Sequence, residues 1–121
     1  MSDNRSLLIL SSNAPYAGQS ARAALDVALT AAAFEQVVRM VFVDAGVLQL
    51  LPEHDNRKDG PKSVGKMIPA LALYEVQEVF FHEDSARRFS IDVAAVPDSV
   101  TGINDAALSE LVQQADQVMV F

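Results

Sequence analysis

The sequence has 121 residues, half of them hydrophobic and 21% charged, with a net charge of −7 and no cysteine. That length and composition fit one globular domain over 1–121 and exclude a disordered chain. The missing thiols exclude disulfides, thiolate metal sites and a cysteine nucleophile, and the acidic balance opposes direct contact with nucleic-acid phosphates.

Ser6 to Ser11 is a short apolar run ended by Ser12-Asn13-Ala14-Pro15, and it predicts a strand buried on both faces. The run is too short for a signal-peptide core, and no stretch has the length of a membrane-spanning helix, so a cytoplasmic protein is expected. Ser11 to Gly18 reads as a loop. Ser20 to Phe34 predicts a helix with Ala21, Ala24, Leu25, Ala28, Leu29 and Ala32 on its buried stripe. Val37 to Val43 predicts a second strand, broken at Asp44-Ala45-Gly46. Val47 to Leu51 predicts a short helical turn stopped by Pro52. Glu53 to Lys62 is strongly polar and reads as an exposed loop. Pro61 suits the first turn of a further helix, in which Pro69 predicts a kink.

Val76 to Phe81 predicts a third strand, and His82-Glu83-Asp84-Ser85 opens a short helix through Phe89, capped by Asp84 or Ser85. Ser90 to Pro97 is ambiguous, with part of it a possible short strand. Asn104 or Asp105 is expected to cap a last helix that buries Leu108, Leu111, Val112 and Ala115. Asp116 to Phe121 predicts a closing strand. Alternating strands and helices imply a parallel sheet covered on both faces, with sites at the carboxyl ends of its strands. Those edges are Ser11 to Gly18, Asp44 to Gln49 and His82 to Ser85.

None of these edges carries a complete chemical motif. The first loop has hydroxyls and one glycine but is neither a dinucleotide fingerprint nor a phosphate-binding loop. His82-Glu83-Asp84 offers acid–base or metal-binding groups, yet a solvated, capped turn explains the same residues, and His54 has no partner at ligand spacing. Asp44 lacks the acidic pair that a phosphorylated receiver domain places after its first strand to hold magnesium. Leu48, Leu50, Leu51 and Phe81 are either an exposed apolar patch or core. No cofactor or metal is therefore expected.

Four stretches carry a resemblance. Asn13-Ala14-Pro15-Tyr16 with Gly18 and Ala21 to Asp26 is similar to an S-x-A-P-x-G opening. Val41-Phe42-Val43-Asp44-Ala45-Gly46-Val47-Leu48-Gln49-Leu50-Leu51 resembles V-F-F-x-x-D-G-V-x-Q-L-L. Leu73-Tyr74-Glu75-Val76 and the Phe81 to Arg88 region match more loosely, and Asp116 to Phe121 resembles a closing Y-D-x-V-x-x-F strand. On these the sequence is similar to the TusC/DsrF group of the DsrE/F/H (TusBCD) sulfur-relay family.

The resemblance implies an α/β fold with a five-stranded, mainly parallel sheet and helices on both faces. It also implies a heterohexameric sulfurtransferase complex, in which a DsrE/TusD-like subunit bears the persulfide cysteine. A DsrH/TusB-like subunit completes the assembly, and sulfur passes to carrier proteins. Where relatives can carry a cysteine at the end of the third strand this chain has His82, so the chain is expected to be a non-enzymatic scaffold. Tyr16, Gly46, Leu48, Gln49 and His82 are the expected partner interface or site wall. The sulfur is expected to end in the 2-thio group of tRNA wobble uridine, or in sulfur oxidation for DsrEFH-type complexes. The competing expectation is a stand-alone domain that binds a small molecule or nucleotide through Ser11 to Gly18.

Overall fold

The computed structural model describes residues 6–13, 20–34, 36–50, 76 and 78–121. Five strands form one sheet: β1 (Ser6–Ser11), β2 (Val37–Phe42), β3 (Glu78–His82), β4 (Val100–Ile103) and β5 (Gln117–Val120), in the order β4-β3-β2-β1-β5. Every pairing is parallel, with Leu7 opposite Val38, Ile9 opposite Met40 and Phe42 opposite Phe81. Parallel neighbours need a crossover, and helix α1 (Ser20–Ala33) supplies the one from β1 to β2. Helix α2 (Glu83–Arg88) follows β3, and α3 (Asp105–Gln114) joins β4 to β5.

Side chains alternate across each strand, and this divides the sheet into two unequal faces. Leu7, Ile9, Val38, Met40, Phe42, Val79 and Phe81 share the face covered by α1, where Ala24, Leu25, Ala28, Ala31 and Ala32 press onto them. Alanines at those positions let the helix backbone lie close to the sheet. Met40 and Phe42 are fully buried, and burying a side chain of that size stabilises the fold by about 1.5–3 kcal/mol. On the opposite face Leu8 and Val41 are buried, and α3 lies against β1.

Several sequence expectations are corrected in detail. The helical turn after β2 is a 3-10 segment that begins at Asp44 rather than Val47 and runs to Leu50. Ser90 to Pro97 holds a 3-10 turn, Val93–Ala95, and the fourth strand lies beyond it at Val100–Ile103. Helix α3 has no fully buried residue, and Val112, expected in its stripe, is 39% exposed. Asn104 is its cap, its side-chain oxygen accepting from the Ala107 amide at 2.9 Å. The helix and proline kink expected within 61–71, the polar loop 53–62, Leu51 and His54 lie outside the described residues.

Candidate functional site

Connections leave β3 and β4 toward opposite faces of the sheet. Ala86 of α2 joins the core beneath α1, whereas α3 lies on the other side. The carboxyl ends of strands whose connections diverge are the customary place for a site in an open parallel sheet. His82 stands there as the last residue of β3.

His82 is also the N-cap of α2, a role that the sequence reading gave to Asp84 or Ser85. Its backbone is extended (φ −80, ψ 118), and its Nδ1 accepts the Ser85 amide at 3.3 Å. A backbone N–H only donates, so Nδ1 is an acceptor and the neutral ring carries its proton on Nε2. Nε2–H then donates to the Asp105 carboxylate at the start of α3. The Ser85 hydroxyl, 2.7 Å from Nδ1, donates to it and accepts from the Asp44 amide at 2.9 Å. One polar chain therefore ties the β2 exit, α2, β3 and α3 together. Asp44 adopts φ 48, a left-handed conformation that aspartate tolerates better than most residues. Its carboxylate meets Arg88 at 3.2 Å.

The order serine, histidine, aspartate is that of a nucleophilic triad, but its accessibility is wrong. Ser85 is 0% exposed, so no substrate carbonyl reaches its oxygen. The ligand atoms of His82, Asp84 and Asp105 lie within 4.8 Å of one another, close enough to raise a metal site. All three are already engaged: Asp84 pairs with Arg87, Asp105 with His82, and Nε2 bears a proton where a metal would need a lone pair. The cluster is accounted for as a helix cap with its orienting partners.

The second edge is the 3-10 turn Asp44–Leu50. Gly46 is required there: a Cβ would fall 1.9 Å from the Ser11 carbonyl oxygen. Gln49 is 2% exposed, and its Nε2 donates to Ser11 Oγ at 2.8 Å and to the Asn13 carbonyl at 2.9 Å. Its Oε1 is buried with no hydrogen-bond partner among the described residues. Leu48 packs partly against the core. The structure thus brings Gly46, Leu48 and Gln49 together and links their turn to His82 through Ser85, while Tyr16 lies outside the described residues.

The apolar patch considered from sequence is not where the exposed apolar groups are. Leu50 and Phe81 are buried at 3% and 4%, whereas among the described residues Phe34 (75%), Val120 (67%) and Val93 (60%) are the most exposed large apolar side chains. Asp105 was missed as the partner of His82 because that pairing depends on β4, which no sequence signal marked.

The profile of the DsrE/DsrF-like family matches residues 5–121. The chain belongs to this family. Among curated relatives, a TusC homolog from Pseudomonas aeruginosa is 34% identical over 116 residues, covering 96% of this chain and 98% of the relative. The intracellular sulfur oxidation protein DsrF from Allochromatium vinosum is 30% identical over 131 residues, covering 97% and 96%. The crystal structure of the ychN protein from E. coli superposes with a TM-score of 0.83 over 97% of this chain and 99% of its own, at 18% identity, which speaks to the fold alone. The DsrE/DsrF-like assignment agrees with the five-stranded parallel sheet and places the chain among sulfur-relay subunits. Among the described residues no helix is long and apolar enough to cross a membrane.

Proposed function

We propose that this chain, a single domain over its 121 residues, is a non-catalytic scaffold subunit of a cytoplasmic sulfurtransferase complex that passes persulfide sulfur between carrier proteins. The observation that carries the reading is the pairing of TusC/DsrF kinship with a sequence that has no cysteine. A persulfide forms on a thiolate, and an imidazole engaged at both nitrogens offers no substitute. The cysteine must then belong to a DsrE/TusD-like partner, with a DsrH/TusB-like chain as third member. The greater identity to the TusC homolog favours 2-thiolation of tRNA wobble uridine as the destination; a DsrF-like part in sulfur oxidation is the variant. His82, with Gly46, Leu48 and Gln49 behind it and Tyr16 beyond, would form the wall that this subunit gives the assembly.

The competing reading, a ligand bound at the first loop, is weakened by Gln49. It already occupies the Ser11 hydroxyl and the Asn13 carbonyl, two of the groups a ligand would use. Co-expression with the proteins encoded beside this chain, followed by measurement of the assembly's mass, tests the proposal. A complex of several different subunits, with its reactive thiol in a neighbour, is expected. A lone monomer or homo-oligomer, with no affinity for a cysteine-bearing relative, would overturn it.

A further inference from the structure

β5 is an edge strand. β1 pairs one side of it, and among the described residues no strand pairs the other. Edge strands are ordinarily shielded by charge, proline or a bulge. Gln117-Val118-Met119-Val120 has no charge and no proline, and its register with β1 is unbroken. One of its flanks is apolar and the other mixes apolar with polar groups. Val118 and Val120 share one face, 38% and 67% exposed. On the other face Met119, Val27, Ala31 and Phe34 help to line an open groove of about 400 Å³, whose lining includes one charged residue, Asp26.

We propose that β5 receives an extended segment of a different protein by strand addition. Alternate apolar side chains of that segment would cover Val118 and Val120 on one face and enter the Phe34–Met119 groove on the other, where a lysine or arginine would reach Asp26. Main-chain pairing supplies affinity in this mode, and the alternating pockets supply selectivity. A second copy of this chain fits less well. Residues 113–121 contain Asp116 and no lysine or arginine, so a β5-to-β5 pairing would bring another carboxylate and no cation to Asp26. The inference deepens the scaffold reading by naming the surface such a subunit would use, and its test needs no other member of the complex.

The isotope-labelled chain is titrated with the peptide Lys-Val-Leu-Val-Arg and with its acidic counterpart Glu-Val-Leu-Val-Glu, and amide shifts are followed by NMR. In a strand, the basic ends and the leucine face the groove while the valines face Val118 and Val120. Saturable shifts confined to Gln117–Val120 and the Phe34 region are expected with the basic peptide, lost in Val120→Lys and weakened about fivefold in Asp26→Lys. Circular dichroism checks that both variants remain folded, as substitution at exposed positions should allow. The proposal is overturned if β5 does not respond, if both peptides bind equally, or if Asp26→Lys has no effect. Sedimentation of the chain alone supplies a further outcome: a homodimer dissociated by Val120→Lys would make a second copy the occupant. A peptide that fails while the multi-subunit complex still assembles would sink this inference and leave the scaffold reading standing.

Discussion

Gly46→Ala should be the most damaging single-methyl change among the described residues. The added Cβ would lie 1.9 Å from the Ser11 carbonyl oxygen and 2.7 Å from its carbon. Both atoms belong to the backbone of β1, and that carbonyl also accepts the Val43 amide at 3.0 Å, so it cannot tilt away freely. The alternative is that the 3-10 turn lifts. Lifting would strain the Gln49 bonds to Ser11 and Asn13 and partly uncover Val47 and Leu50. Overpacking alone costs about 1–3 kcal/mol, and losing buried hydrogen bonds adds about 1 kcal/mol each, giving an expected loss of about 3–5 kcal/mol. For a domain of this size that lowers Tm by roughly 12–20 °C. Gly102→Ala is the control. There a Cβ would meet Phe81 Cζ at 2.9 Å and Glu83 Cγ at 3.1 Å, side-chain rather than backbone atoms, so a smaller loss of about 1–2 kcal/mol is expected. Urea and thermal unfolding followed by circular dichroism measure both. If the two variants lose similar stability, or Gly46→Ala melts within about 3 °C of the parent, the argument that backbone contact fixes this turn is wrong.

Other expectations follow from single contacts. Met40→Ala empties a fully buried position in β2 and should cost about 2–5 kcal/mol in urea unfolding. His82→Asn keeps a side-chain acceptor for the cap, whereas His82→Ala removes it; the alanine variant should be the less stable by about 1 kcal/mol, and equal melting temperatures would deny the cap. Nitrogen-15 NMR of His82 should show the neutral ring protonated at Nε2, because the Ser85 amide faces Nδ1; the opposite tautomer would reopen the metal reading. Gln49→Leu leaves the Asn13 carbonyl without its donor and should destabilise by about 1–3 kcal/mol, less if water replaces the amide.

The sheet was legible because its strands announce themselves. Leu7 to Leu10 is a continuous apolar run and Val37 to Phe42 is broken only by Arg39, as strands covered on both faces require, and Ala24, Leu25, Ala28 and Ala32 mark the helix that covers them. β4 was not legible. Val100-Thr101-Gly102-Ile103 is short, contains glycine and buries only Val100 fully, so its place comes from pairing with β3 rather than from local preference. The last helix was found but its stripe was overstated, because α3 rests lightly on a sheet that offers little further burial. At the site, histidine at position 82 was visible and its purpose was not. Histidine is an uncommon cap, and its partners Ser85 and Asp105 come from two different elements, the second fixed by the unread strand.

That local purpose bears on the proposal that sulfur chemistry belongs to another chain. The resemblance places a cysteine of related subunits where His82 stands, but the surroundings here are built for a different group. The side chain of residue 82 is 11% exposed, its inner side is committed to Ser85, and its outer side meets Asp105 with Asp84 close by. Two carboxylates beside a thiol oppose its ionisation, while persulfide formation requires the thiolate. A cysteine at this position would weaken the helix cap, and the two carboxylates would oppose the pull of the helix N-terminus toward the thiolate. In this chain the edge of the DsrE/DsrF-like sheet sets two carboxylates, Asp84 and Asp105, beside His82. On the proposed scaffold reading the molecule contributes surfaces rather than a reactive thiol, and the sequence offers no thiol for any other role.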